Sequence, residues 1–383
     1  MTAKERVQGK IQKEAYKAWV KGKHWGMLNL GTGVGKSKIA VDAVAALLKK
    51  DEAANILLVV PTENLRDNNW KDEFEKWGQL EAYHKIEKYC YASIKKLEDM
   101  DLDLVIMDEV HNLSELNSQF FDKNKIDKLL GLTATAPNLN GTESDKTKVQ
   151  IFNRFKIKSD YVYTIEDAKE AGIVSDYKLV VVTTNLDDTD KYIEAGNKAN
   201  RFLQTETQKY AYLSKLIMSN MDIKAKTFKM LERLRLVANS ISKEKVVNQL
   251  LTKHTGDRIL VFGGSVAQID KLLAPNVYHG MSGSRGQQAL NDFKEGKIDV
   301  LGCVEGLNEG ANIPNLDVGI IVQVNSNARK LIQRVGRLIR HRPNHTSIIY
   351  IILCMGTQDE KWLKKALEDF NPNDITYIHS RSL

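Results

Sequence analysis

Short apolar runs alternate with helical patterns along the first part of the chain, up to about residue 155. Each run ends in a turn or a polar loop, and the candidate strands cover residues 27–30, 56–60, 102–107 and 128–132. This alternation is typical of βαβ units, in which helices connect the parallel strands of one sheet. We therefore predict an α/β fold built on a parallel sheet for this part of the chain.

The same alternation returns after residue 255, where candidate strands cover residues 258–262, 300–304, 318–324 and 347–353. The pattern predicts a second parallel sheet, although no sequence repeat is detectable. We predict a first domain over residues 1–160 and a second over residues 161–383, with the crossing near residues 160–176. Residues from about 200 to 252 have a long helical period, and we interpret them as a basic helical insert in the second domain. The tail from residue 359 carries no motif.

Length, composition and charge limit the classes of protein to which this chain can belong. A chain of 383 residues with 42% hydrophobic and 27% charged residues is ordinary for a globular protein of two or three domains. It has no run of about 18 apolar residues, so no membrane span is expected, and its charged N-terminus does not resemble a secretory signal. Three well-separated cysteines favour a reduced, cytoplasmic location, in a bacterium or a phage-infected host. A net charge of +7 suits a polyanionic partner.

A glycine-rich segment joins the first candidate strand to a helix. It consists of Gly31, Thr32, Gly33, Val34, Gly35, Lys36 and Ser37. Glycines let backbone N–H groups approach phosphate oxygens, the lysine can reach the β- and γ-phosphates, and the serine hydroxyl can bind Mg²⁺. Leu30 stands where the strict pattern has its first glycine. The segment predicts an ATP-binding loop, and the alternative is a glycine-rich turn with an exposed lysine.

Two adjacent acids end the candidate strand at residues 102–107. We expect Asp108 to hold Mg²⁺ together with Ser37, and Glu109 to orient and deprotonate the attacking water. His111 either links this site to the next loop or caps a turn. Acidic pairs at strand ends are common, so the prediction depends on the phosphate-binding loop earlier in the chain.

These segments, in this order, resemble the motifs of superfamily-two helicases of the DEAH/DEVH type. The segment 33–37 resembles motif I, 108–111 motif II, 132–137 motif III, 308–314 motif V and 333–340 motif VI. The versions present here are similar to those of phage branch-migration helicases and restriction-enzyme translocases. The resemblance covers residues 8 to 355.

The resemblance implies two RecA-like domains with ATP in the cleft between them. It places Gln333, Arg337 and Arg340 in the catalytic set, with the two arginines as fingers that stabilise charge on the γ-phosphoryl group. It also places Gly310 and Asn312 at the nucleotide, although asparagine stands where aspartate is frequent. Val304 replaces a frequent threonine of motif V.

Further roles follow from the same resemblance. Gln12 is similar to the glutamine that contacts adenine through its side-chain amide. Thr133, Ala134 and Thr135 would couple hydrolysis to domain closure, because hydroxyl groups can exchange between two hydrogen-bonding arrangements. His111 belongs to the same coupling set.

Nucleic-acid contacts are predicted in two loops. Pro61 and Thr62 resemble motif Ia, whereas Gly263, Gly264 and Ser265 resemble motif IV. Backbone N–H groups and hydroxyls in such loops suit phosphate binding without sequence recognition. Three aromatic residues behind motif Ia (Trp70, Phe74 and Trp77) are expected in the core. The basic side chains of the helical insert could lie along nucleic acid or form a solvated helix face; they are Lys224, Lys226, Lys229, Arg233, Arg235, Lys243 and Lys245.

The leading interpretation is an ATP-dependent DNA helicase or translocase that unwinds or remodels DNA, including branched DNA. Alternatives are an ATP-dependent RNA helicase, the motor subunit of a restriction or defence complex, and a nucleic-acid clamp that does not need the hydrolytic base. We expect ATP and Mg²⁺ as cofactors. We also expect single-stranded, duplex or branched DNA as the partner in preference to RNA, no membrane, and a monomer that can act with a protein partner.

Overall fold

The computed structural model describes residues 3–31, 33–137, 139, 143–197, 200–219, 222–304, 316–324, 335, 345–368 and 370–383. The described chain forms two compact units, the first ending at Ser175 and the second beginning at Asp176. In the part described, no helix is both long and apolar enough to cross a membrane.

The first unit is built on a parallel sheet of six strands in the order β3-β2-β5-β7-β1-β8. Strands β4 and β6 form a separate short pair. The strands of this unit are β1 Trp25–Leu30, β2 Ile56–Val60, β3 Glu87–Cys90, β4 Asp101–Leu102, β5 Leu104–Asp108, β6 Lys125–Ile126, β7 Leu129–Thr133 and β8 Ser159–Tyr163. Strand β2 is buried along its whole length, which is typical of an interior strand of a parallel sheet.

Helices connect these strands. They are α1 Ala3–Lys21, α2 Lys36–Lys50, α3 Trp70–Lys76, α4 Leu80–Lys85, α5 Tyr91–Ile94, α6 Glu115–Ser118, α7 Phe120–Lys123, α8 Glu143–Arg154 and α9 Ile165–Glu170. A π-helical turn, Leu65–Asn69, directly precedes α3, and a 3₁₀ turn, Val110–Asn112, follows β5. Since β5, β7 and β1 are neighbours, the loops after their carboxyl ends meet at one edge of the sheet.

The boundary between the units lies later than the predicted division at residues 160 and 161. Strand β8 pairs with β1, so it completes the first sheet. Helix α9 follows it, and Thr164 caps this helix by accepting a hydrogen bond from the Asp167 N–H. Gly31 N–H also donates to Tyr163 O at 2.7 Å. The first unit therefore includes most of the predicted crossing segment.

The second unit contains a parallel sheet of seven strands in the order β13-β14-β12-β15-β16-β9-β17. Strands β10 and β11 form an antiparallel hairpin. The strands are β9 Asp176–Thr184, β10 Ile193–Asn197, β11 Asn200–Gln204, β12 Ile259–Phe262, β13 Val277–Tyr278, β14 Val300–Cys303, β15 Val318–Ile321, β16 Thr346–Cys354 and β17 Ile375–His379. Two parallel sheets confirm the predicted fold class, and the tail without a motif supplies β17.

The helices of the second unit are α10 Glu206–Met218, α11 Ile223–Ala238, α12 Ile241–Lys253, α13 Val266–Leu273, α14 Gly283–Lys294 and α15 Gln358–Ala366. Short 3₁₀ turns occupy Pro372–Asp374 and Ser380–Ser382.

The predicted helical insert is only partly an insert. Residues 200–204 form strand β11, and α10 packs on α11. Helix α12, in contrast, belongs to the core of the second unit, because Val246, Val247 and Leu250 pack with the apolar residues of the sheet. Lys243 on α12 is fully buried. It therefore cannot belong to the basic surface in which it was predicted.

Candidate nucleotide site

The loop after β1 has a backbone that only glycine adopts easily at two positions. Gly33 and Gly35 have φ of 87° and 86°, in the left-handed region. A Cβ atom at Gly35 would lie 2.5 Å from the Gln12 side-chain nitrogen, so this position also lacks space for a side chain. Gly35 caps helix α2, which begins at Lys36. The predicted loop therefore leads directly into a helix N-terminus, a position that attracts phosphate.

Two side chains of helix α1 donate hydrogen bonds to the backbone of the glycine-rich loop. Gln12 Nε2 donates to Val34 O at 2.8 Å, and Gln8 Nε2 donates to Gly33 O at 2.5 Å. The two glutamines are four residues apart and share one helix face. Contact of Gln12 with adenine stays a prediction, while the structure adds a loop-bracing role. Gln8 was not predicted; its i,i+4 spacing to Gln12 is the signal in the sequence.

Lys36 projects from the start of α2 and is loosely held. Its ammonium donates to Leu30 O at 3.3 Å and lies 4.0 Å from Glu109 Oε1. A distance of 4.0 Å is beyond hydrogen-bond range. Lys36 is therefore positioned beside the acidic pair without a tight bond to it.

Asp108 ends β5 and is held at two points. Trp70 Nε1–H donates to Asp108 Oδ2 at 3.0 Å, and the Tyr91 hydroxyl donates to the Asp108 backbone oxygen at 2.9 Å. Burial, followed by the Glu109 charge, raises the pKa of Asp108 to about 7; Lys36 and the Trp70 hydrogen bond act in the opposite direction. A cation at this carboxylate would therefore compete with a proton near neutral pH. Neither Trp70 nor Tyr91 was predicted at this site.

Glu109 has an unusual backbone for a non-glycine residue, with φ of 48° and ψ of 56°. Such a conformation costs about 1–3 kcal/mol and is often found at functional sites. Glu109 Oε2 is buried and accepts no hydrogen bond from any described residue, although His111 Nδ1 lies 3.3 Å away. A strained acid with an unsatisfied oxygen suits a group that must receive a proton or a water.

A chain of polar contacts leads from this acid to the loop after β7. His111 Nδ1 and Thr133 Oγ1 are 2.9 Å apart, and Thr135 N–H donates to Thr133 Oγ1 at 3.0 Å. Thr135 Oγ1 is buried without a hydrogen-bond partner among the described residues, whereas Ala134 is partly exposed. The predicted coupling residues are thus contiguous in space. The unsatisfied Thr135 hydroxyl, at the end of this series of contacts, is suited to a rearrangement of its hydrogen bonds.

The predicted Mg²⁺ ligands, Ser37 and Asp108, offer hard oxygen atoms, and Mg²⁺ typically takes one or two such protein ligands along with phosphates and water. Across the described residues, no group of three or more His, Cys, Asp or Glu side chains could hold a metal ion. The oxygen atoms of Ser37 and Asp108 are of the kind that Mg²⁺ prefers.

The residues predicted to contact nucleic acid lie in loops, and the two loops differ. Thr62 is exposed, and its hydroxyl accepts from Leu65 N–H at 3.4 Å, next to the half-buried Pro61. In the second unit, Gly263 N–H donates to Cys303 O and Gly264 N–H donates to Gln268 Oε1. These two N–H groups, which were expected to meet phosphate, are engaged inside the protein.

Ser265 caps α13 by accepting from the Gln268 N–H at 3.2 Å. Of the aromatic trio expected in the core, Trp70 and Phe74 are buried, and Trp77 is 39% exposed.

Several predicted residues lie outside the described part of the chain and stay predictions. They are Thr32, Gly310, Asn312, Gln333, Arg337 and Arg340.

Two family models match the chain. The model described as "Type III restriction enzyme, res subunit" matches residues 7–138, and the "Helicase conserved C-terminal domain" matches residues 242–342. The first contains the glycine-rich loop, Asp108 and Glu109, and the second contains the segments that resemble motifs V and VI. The two matches follow the order of the two units.

Among similar proteins, the "DNA 3'-5' translocase XPB2" of Sulfurisphaera tokodaii is 26% identical over 93% of this chain and 84% of its own length. The "DNA 3'-5' helicase XPB" of Kineococcus radiotolerans is 25% identical over 88% of this chain and 58% of its own length. A solved HsdR fragment of a type I restriction enzyme from Vibrio vulnificus has a TM-score of 0.62 at 16% identity, covering 98% of this chain and 68% of that one. This last likeness concerns the fold alone.

Proposed function

We propose, from the premise that this chain belongs to the superfamily-two helicases, that it is an ATP-hydrolysing motor acting on DNA. The observation that carries the proposal is the geometry at the edge of the first sheet. There, a left-handed glycine loop opens α2, and Lys36 lies within 4.0 Å of the strained Glu109. The reaction proposed is ATP hydrolysis coupled to unwinding or remodelling of DNA, including branched DNA.

Each residue of this edge has a proposed task. Lys36 and the N-terminus of α2 would bind the phosphates. Ser37 and Asp108 would hold Mg²⁺, which would supply charge neutralisation on the phosphates. Glu109 orients a water and accepts its proton, because its Oε2 is buried and unsatisfied by the described residues. The contacts from His111 through Thr133 to Thr135 would couple the nucleotide state of this site to the loop after β7.

The second unit is proposed to complete the reaction. From the motif resemblance, Arg337 and Arg340 act as fingers on the γ-phosphoryl group with Gln333 beside them, and Gly310 and Asn312 contact the nucleotide. Domain closure around ATP and reopening after hydrolysis would move the DNA backbone. This assignment is supported by the match of residues 242–342 to the helicase C-terminal model.

DNA is favoured over RNA as the partner. The two relatives above are named as a DNA 3'-5' translocase and a DNA 3'-5' helicase and match most of this chain, so we propose the same 3'-5' direction. The chain spans 58% of the Kineococcus relative, so activities of that whole protein do not all transfer. A second candidate, a restriction or defence motor subunit, is supported by the match of residues 7–138 to the restriction-subunit model.

Steady-state ATPase activity tests the proposal. It is measured without polymer and with single-stranded DNA, duplex DNA, a four-way DNA junction and single-stranded RNA. Stimulation by DNA, graded by its structure, supports a DNA motor and names its substrate. Stimulation by RNA alone contradicts the DNA assignment. No stimulation by any polymer favours a motor subunit that lacks its partner, or a clamp.

A further inference from the structure

Trp70 joins two regions to which different tasks are assigned. Its indole N–H donates to Asp108 Oδ2 at 3.0 Å, and its backbone directly follows the turn that begins after Thr62. Thr62 is predicted to contact the nucleic-acid backbone, and Asp108 is proposed to hold Mg²⁺. We propose that Trp70 is a positioning residue that transmits DNA contact at the Thr62 loop to the Asp108 carboxylate. This inference rests on the proposed function.

The segment between the two regions passes from solvent to core within a few residues. Thr62 and Asn64 are exposed, whereas Leu65 is buried and Trp70 is only 3% exposed. Because Trp70 packs against the fully buried Phe74, with ring centroids 6.2 Å apart, the indole has little freedom to adjust by itself. A displacement of the exposed loop therefore reaches the indole through a short and tightly packed path.

The connecting turn is a π-helix, Leu65–Asn69. At its end, the backbone N–H of Trp70 donates to Leu65 O. A π-turn is wider than an α-turn, is rare, and often occurs at functional sites. A change of its hydrogen bonds to the α-helical pattern would move the start of α3. Physical coupling between two sites requires an element with two arrangements, and this turn is the element to which the proposal assigns that role.

The far side of this turn is anchored. The Tyr83 hydroxyl donates to Arg66 O at 2.6 Å, and the Arg66 N–H donates to Thr62 O at 3.1 Å. The Tyr91 hydroxyl holds the Asp108 backbone oxygen separately. The backbone of Asp108 is therefore fixed independently of Trp70, and the indole bond acts on the orientation of the carboxylate.

A matched pair of tryptophan variants tests the inference. Trp70→Phe keeps a buried aromatic ring but removes the N–H donor. Trp77→Phe removes an indole bond at the C-cap of the same helix, from Trp77 Nε1 to Glu73 Oε2 at 3.3 Å, away from Asp108. We measure ATPase rates with and without single-stranded DNA, the KM for ATP, and the DNA Kd in the absence of nucleotide.

Trp70→Phe should lower the ratio of DNA-stimulated to DNA-free rates at least tenfold, with the DNA Kd within twofold of wild type. Trp77→Phe should keep both values within twofold. If Trp70→Phe lowers the two rates equally, Trp70 only supports Asp108 and the coupling is overturned. Unchanged stimulation in Trp70→Phe overturns it as well.

A second measurement needs neither nucleotide nor metal. In protein labelled with 5-fluorotryptophan, the Trp70 ¹⁹F resonance is the one missing from Trp70→Phe, or from Trp70→Tyr if the first variant does not fold. Saturating DNA should shift this resonance. An unshifted resonance while anisotropy shows bound DNA overturns the inference alone. Wild-type protein that neither binds DNA nor is stimulated by it contradicts the proposed function, and the inference with it.

Discussion

Two lysine–carboxylate pairs, Lys36–Glu109 in the first unit and Lys243–Asp359 in the second, differ in distance and burial. In the first unit, Lys36 Nζ lies 4.0 Å from Glu109 Oε1, and the side chains are 15% and 21% exposed. In the second unit, Lys243 Nζ lies 2.7 Å from Asp359 Oδ2, and both side chains are fully buried. The first pair is loose and reachable by solvent, whereas the second is tight and dry.

The second pair is also saturated with hydrogen bonds. Lys243 donates to Gln323 Oε1 at 2.7 Å and to Val322 O at 3.1 Å, and Gln323 Nε2 donates to Asp359 Oδ1 at 3.1 Å. Buried charges are tolerated when every donor and acceptor is satisfied. The comparison teaches that the pair inside the fold has its hydrogen bonds satisfied, whereas the pair proposed to meet a ligand is left incompletely bonded.

Breaking the loose pair should remove activity and leave the fold intact. Lys36→Ala is expected to slow ATP hydrolysis about a thousandfold or more, because a donor that stabilises transferring phosphate is lost. The melting temperature should stay close to that of wild type. Steady-state ATPase assays and calorimetry check both. Lys38→Ala is the control, since Lys38 pairs with Asp42 on the helix surface; equal losses in both variants would remove Lys36 from the phosphate site.

Breaking the tight pair should do the reverse. Lys243→Met leaves the Asp359 carboxylate buried without its cation, which is expected to lower the free energy of unfolding by about 3–5 kcal/mol. Denaturant unfolding measures the change. The double variant Lys243→Met/Asp359→Leu should regain much of this stability. A double variant as unstable as the single one would show that the charges themselves are not the cause.

Glu109, the acid of the loose pair, can be replaced by glutamine, which is uncharged and has nearly the same shape. Glu109→Gln is expected to slow hydrolysis about a hundredfold, because an amide cannot accept the proton of the attacking water. Binding of a fluorescent ATP analogue should be retained, since the predicted phosphate and metal ligands remain. Full turnover in this variant would exclude Glu109 as the base.

A half-buried acid, Asp160, has no ion-pair partner among the described residues and sharpens the comparison. Asp160 Oδ2 has no hydrogen-bond partner among the described residues, and burial raises the pKa of Asp160 from 3.8 to about 6. The folded protein then binds this proton more strongly than the unfolded chain does. Stability due to Asp160 is therefore present below pH 4 and lost as the pH rises to about 6.

Asp160→Asn removes that loss. Because the carboxyl group is partly exposed, the gain is expected to be only about 1 kcal/mol at pH 7.5. Little gain is expected at pH 4, where the folded protein keeps Asp160 protonated. Thermal unfolding at the two pH values checks the sign, and equal gains at both would mean that charge is not responsible.

Much of the architecture could be predicted because its signals are local. Strand β2 was predicted with the bounds that the structure gives, Ile56–Val60, since a short apolar run between turn signals is typical of a strand buried on both faces. Strand β8 was missed, because Ser159–Tyr163 is only partly buried and becomes a strand by pairing with β1. Strand β17 was missed for the same reason, because it forms an edge of the second sheet by pairing with β9.

The candidate site shows the same division. Loop glycines, Lys36 and the Asp108–Glu109 pair are adjacent in sequence and could be recognised from residue type and spacing. Gln8 and Trp70 reach the site from separate helices. The only local signal for Gln8 is its i,i+4 spacing to Gln12, and no local pattern distinguishes Trp70 from an ordinary core residue. Lys243 was expected on a basic surface because periodicity cannot tell a buried cation from an exposed one.

By itself, the sequence determined the alternation of strands and helices, the glycines that permit a left-handed loop, and the order of the chemical groups along the chain. These properties follow from short-range sterics and from the burial of apolar runs. Only the tertiary structure decided which carboxylates are dry, which are paired, and which side chain reaches Asp108. Such outcomes depend on solvent exclusion and on contacts between residues far apart in the chain, and neither is encoded in a local pattern.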